Sequence, residues 1–92
     1  MESELRIDLV IKGTVQGIGY RYFVKKKAES LCIKGSIKNL PDGSVFVSAQ
    51  GTNEALETFV RYCFKGPPGA IVREIEKMHS KIGSFNEFNI LF

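Results

Sequence analysis

With 92 residues there is room for one domain, expected to span residues 1–92, and 43% hydrophobic content supports a single modest core. A net charge of +3 favours anionic ligands without naming one. There is no apolar run near the ~18 residues a membrane span needs. The polar, acidic start Met1-Glu2-Ser3-Glu4 does not suit a secretory signal, so a cytoplasmic protein is expected.

Leu5, Ile7, Leu9 and Ile11 alternate with Arg6, Asp8, Val10 and Lys12, the period of a strand, and Val10 predicts partial cover on the polar side as well. A glycine-rich stretch follows, and the period changes at Tyr20. Tyr20, Val24, Ala28 and Leu31 share one helical face with Phe23 and Cys32 beside them, while Lys25, Lys26 and Glu29 point away. A helix is predicted from about Tyr20 to Cys32, with Gly35 closing the unit. Ser36 to Asn39 reads as a short second strand and Leu40-Pro41-Asp42-Gly43 as a turn. Val45, Val47 and Ala49 alternate with Phe46, Ser48 and Gln50 in a third strand, paired with the second as a hairpin.

Thr52 or Asn53 can cap a second helix with Glu54 and Glu57 in or near its first turn. Its apolar face is Ala55, Leu56, Phe59, Val60, Cys63 and Phe64, and Gly66-Pro67-Pro68-Gly69 stops it. Ala70 to Met78 alternates imperfectly, which predicts a fourth strand with a bulge. Phe85, Phe88, Ile90 and Phe92 predict a short last strand that packs rings on the core. The order β-α-β-β-α-β plus a C-terminal strand predicts an α+β, ferredoxin-like sandwich, with two helices on one face of an antiparallel sheet. That arrangement alone fixes no function.

Chemistry concentrates in Gly13-Thr14-Val15-Gln16-Gly17-Ile18-Gly19-Tyr20-Arg21, which holds three glycines, no acidic residue and a terminal arginine. Glycines turn N–H groups toward one point, a helix N-terminus adds unpaired donors, and arginine offers a fork that fits phosphate oxygens. Arg21 opposes the helix dipole at a cost of about 0.3–1 kcal/mol, which a bound anion would reverse. A Walker A loop needs Lys and Ser/Thr after the last glycine, but Tyr20-Arg21 stands there; Tyr22 stands where a dinucleotide fingerprint needs its third glycine. Asn39, just before the turn, has an amide that donates and accepts. His79 reads as an exposed strand-end histidine, Lys25-Lys26-Lys27 as a solvated helix face, and Cys32 and Cys63 as buried, reduced thiols. No metal-ligand cluster emerges from the spacing, so neither metal nor cofactor is expected.

Val10 to Arg21 closely resembles the first signature of the acylphosphatases, and Gly35 to Val45 with Gly51 resembles the second. Gly66-Pro67-Pro68-Gly69-Ala70-x-Val72 and Phe85-x-x-Phe88-x-Ile90 look familial too, so the resemblance covers nearly the whole chain. It implies hydrolysis of acyl phosphates to carboxylate and inorganic phosphate. It places the family's catalytic arginine on Arg21, its catalytic asparagine on Asn39, and its phosphate-cradling loop on Val15, Gln16, Gly17, Ile18, Gly19 and Tyr20. Two departures stand out: Tyr20 where the family usually has Phe, with little effect expected, and Ser36 where an aromatic is usual. The implied reaction is direct and metal-free, with a water oriented by Asn39.

Two other readings compete with this one. Ferredoxin-like domains also bind RNA through aromatics on central strands, but Tyr20, Tyr22 and Phe23 fall at a helix start and the aromatic-rich strand motif is absent. Acylphosphatase-like domains also front larger hydrogenase maturation proteins, but this chain carries no zinc-finger cysteines. The expected partner is a small acyl phosphate, without nucleic acid or membrane, and a monomer is expected, with Phe46 and Phe92 as the apolar spots to watch.

Overall fold

The alternation beginning at Leu5 forms β1 (Glu4–Thr14), whose Ile7, Leu9 and Ile11 are buried while Arg6, Asp8, Val10 and Lys12 are half-buried on the other face. The computed structural model describes residues 3–92; Met1 and Glu2, the start of the acidic stretch, lie outside the described residues. The other elements are α1 (Tyr20–Ser30), β2 (Lys34–Asn39), β3 (Val45–Thr52), α2 (Asn53–Lys65), β4 (Ile71–Ser80) and β5 (Phe88–Leu91). They build one five-stranded sheet in the order β4-β1-β3-β2-β5. Both helices pack on the face carrying Ile7, Leu9, Ile11, Ile37, Val45, Val47 and Ala49, which is the ferredoxin-like arrangement. The core closes around Phe59 of α2 and Phe88 of β5, whose rings meet edge-on at 6.1 Å. Among the described residues no helix is long and apolar enough to cross a membrane.

The sheet is mixed, not wholly antiparallel as the element order suggested. β1 pairs antiparallel with β3 and β4, and β2 with β3, but β5 runs parallel to β2. The reason is where β4 ends. Ser80 lies opposite Arg6, at the end of the sheet where β2 begins. A short crossing at that end starts β5 beside the start of β2, where the Gly35 N–H donates to the Glu87 carbonyl at 3.0 Å. Antiparallel pairing would need a connection along the full sheet. The crossing segment is tied to the open face: Gln50 Oε1 accepts from the Gly83 N–H at 2.8 Å, and the Arg6 guanidinium sits 5.3 Å from the Phe85 ring centroid. This is the partial cover that Val10 suggested, seated at the Arg6 end of the face.

The first helix ends earlier than its apolar stripe implied. Leu31 caps it and Cys32 takes a left-handed φ of 57°. The Ile33 N–H then donates to the Ala28 carbonyl at 2.8 Å and the Cys32 N–H to Glu29 at 3.2 Å, the paired bonds of a Schellman end. Cys32 is therefore exposed, not buried; Cys63 is buried as expected. Gly35 sits inside β2 instead of closing the helix, and a Cβ there would strike the Ser48 carbonyl oxygen of β3. In β4, Lys12 faces Glu74 while Gly13 faces Val72, so Arg73 is the extra residue of the expected bulge. Lys25 is not a free surface cation: its Nζ donates to the Phe88 carbonyl at 2.7 Å, tying α1 to β5.

Candidate active site

The end of β1, the start of α1, the end of β2 and the end of β5 all meet at one end of the sheet. A cleft of about 180 Å³ opens there, lined by Val15, Gln16, Gly17, Gly19, Tyr20, Arg21, Tyr22, Asn39, Ile90 and Phe92. Six of the seven loop residues singled out from sequence line it, together with Asn39. The exception is Ile18, whose side chain packs against the core.

Gly17 and Gly19 adopt φ of 78° and 76°, while Gln16 and Ile18 keep negative φ. Such alternation points successive N–H groups into one concavity. A Cβ on either glycine would meet nothing within 4 Å, so glycine is required by the backbone conformation and not by lack of space. Among the described residues, no N–H of Gly17, Ile18 or Gly19 donates to another main-chain carbonyl. Gly19 is the N-cap of α1 and offers no side-chain cap, and the helix has no acidic residue in its first turn. The partial positive charge at this helix end therefore has no acidic side chain of its own in the first turn.

Val15 is buried and anchors the loop from below. Gln16 ties it sideways: Nε2 donates to the Leu40 carbonyl at 2.9 Å and to the Ser44 carbonyl at 2.8 Å. Those carbonyls belong to the turn that follows Asn39, so the loop and the end of β2 are held as one unit. The turn is pinned by Asp42, whose carboxylate accepts from the Ser44 N–H and hydroxyl; these bonds hold its pKa below the usual carboxylate value. Asn39 Oδ1 is buried and is the one such side-chain acceptor without a partner among the described residues. A buried amide oxygen left unpaired costs about 1–3 kcal/mol, a cost removed by a ligand that donates to it.

Arg21 is half-buried at the cleft wall. Its Nη1 lies 3.4 Å from the Leu91 carbonyl, and the guanidinium carbon stands 5.0 Å from the Phe92 ring centroid. Tyr20 is buried, and its hydroxyl donates to the Cys63 carbonyl of α2 at 2.6 Å. Burial pushes the phenol far above its usual pKa, as it does the Cys63 thiol, so both stay protonated. The hydroxyl that departs from the resembled pattern thus has a protein partner. Sequence reasoning did not place Tyr22, Ile90 or Phe92 at this cleft; their only signal was apolar side chains near the loop and at the chain's last strand.

The other candidates lie elsewhere. His79 is exposed on β4 and borders a separate groove of about 220 Å³ beside α2, which contains none of the loop residues. Among the described residues, no three His, Cys, Asp or Glu side chains cluster as a metal site.

Residues 7–90 match the family model described as Acylphosphatase. An acylphosphatase of Archaeoglobus fulgidus is 38% identical over 88 residues, 96% of this chain and 99% of the relative. One of Thermotoga maritima is 39% identical over 82 residues, 89% of this chain and 91% of the relative. The crystal structure of acylphosphatase from Bacillus subtilis superimposes with a TM-score of 0.93 at 34% identity, covering 96% of this chain and 99% of that one. With the family model spanning most of its length and relatives matched nearly end to end, the chain belongs to the acylphosphatase family.

Proposed function

We propose that the chain, a hydrolase acting on acid anhydrides, cleaves the carboxyl–phosphate bond of acyl phosphates by direct attack of water, with Arg21 and Asn39 as its catalytic residues. The observation that carries this reading is the unpartnered Asn39 Oδ1 in the same cleft as Arg21 and the open N–H loop. The phosphoryl group sits on the N–H groups of residues 15–20, with the Arg21 guanidinium on its oxygens. Both stabilise the charge that spreads over those oxygens in the transition state. Asn39 Oδ1 accepts a hydrogen bond from the attacking water and orients its lone pair toward phosphorus. The water oxygen bonds to phosphorus as the bond to the acyl oxygen breaks, and the water's proton passes to a phosphoryl oxygen. The leaving carboxylate has a conjugate-acid pKa of about 4–5, so it departs without a general acid. No phospho-enzyme forms and no metal is needed.

The working unit is a single domain over residues 1–92, a cytoplasmic monomer taking a small acyl phosphate and releasing inorganic phosphate. The test is benzoyl phosphate hydrolysis by purified protein in EDTA, beside Arg21→Ala and Asn39→Ala. The wild type should turn over in EDTA, and each variant should lose about 100-fold or more in kcat while staying folded. Activity abolished by EDTA, or a covalent phospho-enzyme trapped during turnover, contradicts the mechanism.

A further inference from the structure

Resting on that reading, we propose that Tyr22 and Phe92, with the partly buried Ile90 lining the same cleft, form the acyl subsite, and that it selects flat, apolar acyl groups. The two halves of the substrate are joined through one oxygen. Once the phosphoryl group fills the loop, the acyl group must lie directly against the adjoining wall. That wall is apolar: Tyr22, Ile90 and Phe92 line the same cleft as Gly17, Gly19, Arg21 and Asn39.

Core packing does not account for the two rings. Tyr20 already supplies the buried aromatic of this helix turn, while Tyr22 is 61% exposed and Phe92 fully exposed. Single exposed apolar residues are ordinary, but two rings bordering one anion cleft are a patch with a use. They come from distant parts of the chain, Tyr22 from α1 and Phe92 from just beyond β5, whose parallel pairing with β2 carries its end to this end of the sheet. Aromatic faces favour planar π partners, so an aromatic acyl group gains contacts that an acetyl group is too small to make.

Phe92 also stands against Arg21 at 5.0 Å, so the rival role is to prop the guanidinium. Steady-state kinetics with benzoyl and acetyl phosphate, and competitive inhibition by inorganic phosphate, separate the two. The chains compared are wild type, Phe92→Ala, Phe92→Leu and Tyr22→Ala, each checked for folding by circular dichroism. The expected result is a fall of about 2- to 10-fold in the benzoyl-to-acetyl ratio of kcat/KM for each alanine variant, carried mainly by KM, with Phe92→Leu intermediate. If both substrates lose equally and inorganic phosphate inhibits more weakly, Phe92 is a prop for Arg21 and the subsite is wrong. Unchanged ratios in both alanine variants also overturn it. A folded wild type that hydrolyses neither compound overturns the acyl phosphate reading itself.

Discussion

Tyr20→Phe removes one oxygen and leaves the buried ring in place. The last four carbonyls of a helix lack intrahelical partners. In α2 the Tyr62 carbonyl accepts from the Gly66 N–H at 2.9 Å, and the Cys63 carbonyl accepts from the Tyr20 hydroxyl at 2.6 Å. The hydroxyl of α1 therefore finishes the end of α2. Deleting it strands a buried acceptor, a cost of about 1–3 kcal/mol, partly offset because the variant buries no hydroxyl of its own. We expect a net loss of about 1–2 kcal/mol. For a chain of this size that lowers Tm by about 4–16 °C. Urea unfolding should show a lower midpoint with an unchanged m-value. The phenol adds a signature in pH. Its folded pKa is raised, so its contribution is complete below its unfolded value of about 10 and is lost as pH climbs above it. Tyr20→Phe should blunt the alkaline loss of stability. A variant within about 0.3 kcal/mol of wild type at pH 7 refutes the capping role.

Gln16→Ala cuts both bonds between the glycine loop and the turn after Asn39, and is expected to lower kcat/KM about 10- to 100-fold by letting the loop and Asn39 drift apart, read in the benzoyl phosphate assay. Asp8 gives an acid-side prediction. Burial alone raises its pKa, but hydrogen bonds from Ser80, Arg6 and Ser48, with the Arg6 charge, outweigh that and hold it below 3.8. Its contribution is then present above about pH 4 and lost as pH falls through the lower folded value. Asp8→Asn should be less stable than wild type at pH 7, and the gap between their urea midpoints should close at strongly acidic pH.

The parts legible in sequence were those written in local pattern. The Gly17 and Gly19 spacing, the Thr52 cap of α2, whose hydroxyl accepts from the Ala55 N–H at 3.2 Å, and the bulge in β4 each reflect a few neighbouring residues. What escaped depends on partners distant in the chain. The helix stripe through Cys32 is a real apolar periodicity, but Ile33 must turn back onto the core to begin β2, and that ends α1 early. The direction of β5 follows from where β4 finishes, which no residue of β5 records. The same holds for the Arg6–Asp8–Ser80 network on the open face and for Phe92 beside Arg21: each joins residues far apart in the chain. Tyr20 shows the limit most plainly, since its ring was read correctly from periodicity while the partner of its hydroxyl lies on the other helix.

The pairing of β1 with β4 joins residues near one end of the chain to residues near the other, Arg6 opposite Ser80 and Thr14 opposite Ile71. Loop-closure entropy must be met before those bonds form, because everything between them has to be gathered first. Topologies dominated by such distant contacts fold in milliseconds to seconds, slower than helical bundles of equal size. The β2–β3 hairpin closes a short loop and β4 a long one, so loop-closure cost predicts that the hairpin forms before β4 docks. Since the glycine loop hangs from the end of β1 and its tie runs to the hairpin turn, the anion cradle can take shape before the outer strand docks. Until then the β1 edge stands open to pairing with another chain, an exposure that belongs to the folding molecule and not to the folded one.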